Sequence, residues 1–226
     1  MGHPKVTHNG VTFTWNEKCH CYQFNLPPRV SCPGVCQRLK NPKNVCNYCY
    51  AYHGRSQQTG AARRVLFTNW LVVQDSPTES LFWTLSGALG KLPKLHQRYF
   101  RWMGCGDIPN LDTGRLLCRL AGEFPHIHFW CPTQNSAVAA WLDYPRMIPQ
   151  NLSIRFTQPL LGKPASENGL TTLLPEQKEL PGHYICPGKC GTCRMCWNQL
   201  GKVAFRFHGS ATLMARFKKA RREHGF

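Results

Sequence analysis

Apolar and polar residues alternate over Val11–Trp15, the pattern of a half-buried strand. After Gly54 the period changes. Ala61–Val73 carries apolar residues three and four apart, and Pro77–Leu89 does so again after a Ser/Pro break, so both are predicted helices, the second closed by Gly90. Four apolar runs then read as strands, each ending in polar residues. They are Arg98–Met103 before Gly-Cys-Gly-Asp, His126–Cys131 before Pro-Thr-Gln-Asn, Leu152–Phe156 before Thr-Gln-Pro, and Val203–Phe207 before His-Gly-Ser. Helical spacing separates the earlier runs at Asp112–Gly122, with Asp112 as the expected N-cap, and at Ser136–Tyr144.

Strand, helix, strand, helix, strand is the signature of βα units around a parallel sheet, so the fold class is α/β. Ligands of such sheets bind beyond the carboxyl ends of the strands, where Asp107, Thr133, Gln134, Thr157, Gln158 and His208 are expected. Arg101, His128, Arg155 and Arg206 fall in mid-strand, sharing faces with Met103, Trp130, Thr157 and His208. Four such residues imply a polar pocket lining suited to an anionic ligand; the alternative is a solvated face. Residues 159–184, rich in Pro, Gly, Leu and Glu, read as a long loop. Ala211–His224 reads as an amphipathic helix with Leu213, Phe217 and Ala220 as its apolar stripe, Ser210 as N-cap and Gly225 as terminator.

At 226 residues the chain is long enough for one sizeable core and is expected to form a single domain: 1–56 with the first strand and cysteine group, 57–158 as βα core, 159–200 as loop and second cysteine group, and 201–226 as last strand and basic helix. No apolar run approaches the ~20 residues of a membrane span, and no signal-peptide core opens the sequence, so a reducing cytoplasm is the expected location. Thirteen cysteines, an odd number, then read as ligands rather than disulfides.

Basic residues outnumber acidic ones 28 to 11, for a formal charge of +17. From Lys18 to Gln74 there are eight Lys or Arg and no Asp or Glu, and Lys202–Phe226 adds seven against Glu223 alone. The surplus points to a polyanionic partner such as nucleic acid. The alternative is internal neutralisation, since a four-thiolate 4Fe-4S cluster carries about −2.

The cysteines form two groups. Cys32, Cys36, Cys46 and Cys49 lie within eighteen residues; Cys186, Cys190, Cys193 and Cys196 lie near the other end. Both groups open on Cys-Pro-Gly and close on Cys-x-x-Cys followed by an aromatic. Sulfur donors select zinc, copper(I) or iron–sulfur clusters. Cys190, Cys193 and Cys196 stand at successive intervals of three, the tight loop of bacterial ferredoxin sites, with Cys186 as fourth ligand and Gly188 and Gly191 letting backbone amides approach the sulfides. Zinc between Cys46/Cys49 and Cys193/Cys196 is the alternative. In the first group, three ligands leave one iron open to a substrate or cofactor, whereas ligation by Cys32 as well closes the site. Cys19 and Cys21, a Cys-x-Cys pair, read as buried or spare thiols; the alternative is two further ligands assisting a cluster.

Cys32-Pro33-Gly34 with Cys46-x-x-Cys49-Tyr50-Ala51 resembles the opening motif of the phage "gene product 88" family, cysteine-rich proteins described as radical-SAM-like. Gly106-Asp107, His128-Phe129-Trp130 with Thr133, Cys190–Trp197 and Phe205–His208 resemble its later blocks, over roughly residues 25–209. The resemblance implies a partial (β/α) barrel with cluster-binding loops at both ends of the chain, a 4Fe-4S cluster on Cys36, Cys46 and Cys49, and S-adenosylmethionine on the open iron. It places Gly106, Asp107 and Thr133 at the cofactor. The gap of nine residues between Cys36 and Cys46 departs from the usual three, and no glycine-rich strand motif for adenosine is present. The expectation is an iron–sulfur protein with one or two 4Fe-4S clusters and redox or radical chemistry, nucleic acid or a nucleotide being a candidate substrate, with Asp107, Arg155 and His208 lining the pocket. The other readings are a metal-stabilised nucleic-acid-binding protein, with zinc or inert clusters, and an electron-transfer protein.

Overall fold

A computed structural model describes residues 4–54, 59–141, 148–198, 201–207 and 209–225. Two antiparallel strands, β1 (Val6–His8) and β2 (Val11–Asn16), lead into β3 (Cys21–Phe24). From β3 the sheet runs parallel through β4 (Tyr99–Trp102), β5 (His128–Thr133) and β6 (Leu152–Phe156), in spatial order β1 to β6. A second, parallel sheet has the order β7 (Leu170–Thr172), β9 (Lys202–Phe205), β8 (His183–Ile185). The expected single sheet is thus two, and the first is antiparallel at its amino-terminal edge. The segment 159–184 is not all loop, since it carries β7 and the start of β8.

The period of two sorts the first sheet into unlike faces. Tyr22, Phe24, Phe100, Trp102, Phe129 and Leu152 point to one side and are almost wholly buried. Helices α3 (Gly60–Asp75), α4 (Thr78–Gly90) and α5 (Leu111–Glu123) accompany them. Helix α4 buries Leu81, Phe82, Leu85 and Leu89, and α5 buries Leu116, Leu117 and Leu120, all in the cluster that holds those aromatics. At about 2 kcal/mol for each buried large side chain, this layer supplies the main drive to fold. Asn69 of α3 fixes the helix to the strands: its Oδ1 accepts from Thr12 N at 2.8 Å, and its Nδ2 donates to the carbonyls of Thr12 and Asn25, both at 3.0 Å. Helix α5 is capped by Asn110, whose Oδ1 accepts from Thr113 N at 2.8 Å. The expected cap, Asp112, instead forms an exposed ion pair with Arg115 inside the first turn.

The opposite face carries Cys21, Gln23, Tyr99, Arg101, His128, Trp130, Ser153 and Arg155. It is covered by the second cysteine loop, which packs with β9 against Trp130, Cys19 and Cys21. Helix α6 spans Ser136–Trp141; the rest of the segment predicted to Tyr144 lies outside the described residues. The final helix, α7 (Ala211–His224), is capped by Ser210 and ended by Gly225 in the left-handed region, with Leu213 and Phe217 buried on Tyr48.

Candidate metal centre

The first cysteine group sits at the carboxyl edge of the parallel strands. Arg29, in a left-handed conformation, donates its backbone N–H to Cys32 Sγ at 3.3 Å and its guanidinium to the Cys46 carbonyl at 3.2 Å. Cys36 lies on the short helix α1 (Val35–Arg38), opened by Gly34 at φ +67. A 3-10 turn, Val45–Tyr48, is capped by the Asn44 side chain on Cys46 N, and α2 (Tyr50–His53) begins directly after Cys49. Backbone bonds from Val45 to Pro159 and from Leu161 to Lys43 attach the loop to the chain leaving β6.

Cys32, Cys46 and Cys49 lie within electrostatic reach of one another, with Asp107 beside the first two. Cys36 is exposed. The structure brings Cys32 together with Cys46 and Cys49, and places Cys36, the third ligand that the resemblance implied, at the exposed surface of the same loop. Burial, reinforced by the Asp107 carboxylate, pushes the Cys32 thiol up to about 12, and burial also raises Cys46 and Cys49. Without an added cation these thiols hold their protons.

Asp107 is the hub behind this loop. Its Oδ1 accepts from Ile108 N at 2.8 Å and Thr133 Oγ1 at 2.6 Å; its Oδ2 accepts from Gln134 N at 3.0 Å and faces Arg38 Nη1 at 3.8 Å. Arg38 also donates to the Gln134 side-chain and backbone oxygens and to the Pro33 carbonyl. Cys46 Sγ donates to Gln134 Oε1 at 3.3 Å. Gly106 stands at φ +79, and a Cβ there would meet Ser31 Oγ at 2.5 Å and the Leu26 carbonyl at 2.9 Å, so only glycine fits. The block Gly106-Asp107-Thr133-Gln134 thus ties two strand ends to the thiol loop. Three hydrogen bonds thus fill acceptor positions of the carboxylate, and the Arg38 charge faces it as an ion pair.

The second group lies on the covered sheet face near the strand starts. Cys190 N donates to Lys18 O at 2.9 Å, which seats the loop on the β2–β3 turn. Arg194 donates to Cys19 O at 3.0 Å and stacks over Tyr99, and Trp197 Nε1 donates to Phe100 O at 3.2 Å. Cys19 is in hydrogen-bond contact with the thiols of Cys190 and Cys21, which, aided by the Arg101 charge, hold it well below the usual thiol range. The same contacts, with burial, raise Cys190 and Cys21. Burial pushes Cys196 up to about 12. Cys193 accepts from the Tyr184 hydroxyl at 3.4 Å. The Cys-x-Cys spacing of Cys19 and Cys21 left spare thiols and assisting ligands both open; the structure places them beside the second group.

Arg101 spans the two groups. Its Nη1 lies 3.8 Å from Cys19 Sγ and its Nη2 3.4 Å from the hydroxyl of Tyr50, the residue after Cys49, with the guanidinium over the Trp130 ring. Arg155, expected in a pocket, is 1% exposed and donates to five carbonyls, those of Asn168, Gly169, Met195, Asn198 and Gly201. It anchors the end of the second cysteine loop and does not line an opening. His128 and Arg206 are exposed, and His208 lies outside the described residues.

The donor chemistry fits a thiolate-held group. Gly188 at φ +85 and Gly191 at φ +36 have open space where a side chain would stand, leaving the loop backbone accessible. Among the described residues, no three His, Cys, Asp or Glu donors are gathered as a site for one ion. A cubane spans a wider ring of thiolates than one ion does. Beyond the nests, a groove of about 360 Å³ runs between Lys40, Pro42, Asn47 and Tyr48 and the Arg216–Lys219–His224 face of α7. No described helix is long and apolar enough to cross a membrane.

Fold and site together define a mixed α/β protein in which thiol-rich loops cap one edge and one face of a mostly parallel sheet. Residues 2–159 match the family described as Gene product 88, and the chain belongs to this phage gene-product family. The match includes the first cysteine group, Gly106-Asp107 and Thr133, and ends before the second group. No curated protein and no solved structure matches the chain.

Proposed function

We propose that this is an iron–sulfur redox protein with a 4Fe-4S cluster at each cysteine group, one on the loop Cys32–Cys49 and one on the loop Cys186–Cys196. The observation that carries the reading is Arg101, in contact with Cys19 at one group and with Tyr50, next to Cys49, at the other. Bound clusters of this kind store and pass single electrons. The chain's own residues supply the setting. Arg101 puts a permanent cation between two sites that gain negative charge, Trp130 covers that cation from solvent, and Arg38 offers a second one behind Cys46. The basic surplus then serves in part to offset thiolates.

The radical-SAM-like reading needs S-adenosylmethionine. The residue implied for its amino group, Asp107, is buried and already accepts hydrogen bonds from Ile108, Thr133 and Gln134, with the Arg38 guanidinium facing it at 3.8 Å. A carboxylate so enclosed does not fit that role. The partial barrel implied with it finds support in a parallel bridge, Thr157 to Leu170, that continues the first sheet toward the second. Reversible bleaching of visible absorption on dithionite reduction and reoxidation, with no response to added S-adenosylmethionine, is the expected result. A protein without visible absorption after anaerobic purification overturns the reading.

A second reading, binding of nucleic acid in the host cytoplasm, is favoured by the groove between Lys40 and the Arg216–Lys219 face of α7. It predicts affinity for single-stranded DNA that falls steeply with salt, with Lys40→Ala and Lys219→Ala each lowering the salt slope by about one. Affinity unchanged by both substitutions excludes it.

A further inference from the structure

The second cysteine group has more thiols than one cluster uses, and they come from both ends of the chain. Cys19 enters from the β2–β3 turn, and Cys186, Cys190, Cys193 and Cys196 from the loop after β8. The pairings are not equivalent. Cys19 contacts Cys190 directly and lies within electrostatic reach of Cys186 and Cys196; Cys196 lies within reach of Cys186 and Cys190. All four pack into one cluster on the covered face; Cys21, which also neighbours Cys19 and Cys190, belongs to strand β3 itself. Cys193 lies outside that cluster: it reaches Cys186 electrostatically, but its sulfur accepts from the Tyr184 hydroxyl at 3.4 Å. Three bonds hold Cys19 in that position from outside its own turn: Cys190 N to Lys18 O, Arg194 to Cys19 O and Arg101 to Cys19 Sγ.

We infer that the iron–sulfur site at this end is ligated by Cys19, Cys186, Cys190 and Cys196, with Cys193 as a spare thiol outside the ligand set. This rests on the iron–sulfur reading above and deepens it. One consequence is topological. A cluster so held clips the amino-terminal hairpin to the carboxy-terminal loop, across some 170 residues of chain, and so closes the covered face of the sheet. A second is electronic. Arg101 then donates directly to a ligand sulfur, the kind of contact that sets a cluster's potential.

The test compares wild type, Cys19→Ala, Cys19→Ser and Cys193→Ala as full-length proteins, purified anaerobically and reconstituted with ferrous iron and sulfide. Iron and sulfide per chain are measured, with EPR after reduction. Cys19→Ala is expected to lose about half of the iron and sulfide, and Cys19→Ser to keep the iron with a shifted EPR signal. Cys193→Ala should match wild type. The EPR signal that survives in Cys19→Ala, that of the Cys32–Cys49 group, shows that the variant has folded. Wild-type content and spectrum in Cys19→Ala overturn the inference and leave the iron–sulfur reading standing. Loss of half the iron in Cys193→Ala overturns the ligand assignment. Wild type without iron overturns both the inference and the reading beneath it.

Discussion

Replacing Arg155 by methionine removes five hydrogen bonds at once. The guanidinium has five N–H groups and uses all of them: Nε on Asn168 O at 2.9 Å, Nη1 on Met195 O at 2.7 Å and Asn198 O at 3.3 Å, and Nη2 on Gly169 O at 3.3 Å and Gly201 O. Bonds to a charged donor are worth about 1.5 kcal/mol each, so the set amounts to roughly 7 kcal/mol. Against this stands the cost of keeping the guanidinium dry, which depresses its affinity for the proton and is regained when the charge is removed. Several kcal/mol return that way, leaving a net loss of about 3 kcal/mol. For a chain of this length that corresponds to a fall in Tm of roughly 6–12 °C. Anaerobic urea unfolding followed by tryptophan fluorescence reads it, since Trp197 lies beside the tethered loop. Arg155→Lys keeps the charge but has three donors and should fall between the two. A loss below about 1 kcal/mol in Arg155→Met, or a lysine variant as stable as wild type, refutes the tether argument.

Gly106→Ala should cost about 2–4 kcal/mol, because a left-handed backbone and a collision with the Leu26 carbonyl add to each other. Thermal unfolding checks it, and a neutral result would mean that the Gly106 turn is not built as described. Alkylation of metal-free native protein by iodoacetamide at about pH 8 should modify exposed Cys36 and spare Cys118 and Cys131. Burial pushes Cys118 up to about 12 and raises Cys131 well above the usual thiol range, so neither forms thiolate near neutral pH; labelling of Cys118 should rise only as pH climbs toward about 12. Peptide mass mapping that finds Cys118 modified before Cys36 contradicts the burial argument.

Period and punctuation made the long elements legible. Helices α3, α4 and α7 and strands β2, β4 and β6 fall within a few residues of their apolar spacing, because each buries a continuous stripe or face. The short strands escaped. Cys21–Phe24, Leu170–Thr172 and His183–Ile185 are three or four residues long, too short to show alternation, and their pairing is set by neighbours distant in sequence. The cap of α5 was misplaced because Asn110 and Asp112 both suit the role, and only the backbone bond to Thr113 separates them. At the sites, the two cysteine loops were visible from spacing alone. That Cys19 joins the second loop, and that Cys32 comes close to Cys46 and Cys49 while Cys36 is exposed, depends on tertiary contacts. Arg101 and Arg155 did share a face as their register required, whereas Arg206 falls just past β9 of the second sheet; a face covered by a loop gives Arg155 carbonyl partners where an open one would give it ligands.

Iron, acid-labile sulfide and zinc per chain, measured on anaerobically purified protein together with its optical spectrum, test the central claim most directly. Two 4Fe-4S clusters predict about eight irons and eight sulfides per chain with broad visible absorption that fades on reduction. Stoichiometric zinc with a colourless protein, or a chain that takes up no metal on reconstitution, would contradict the account.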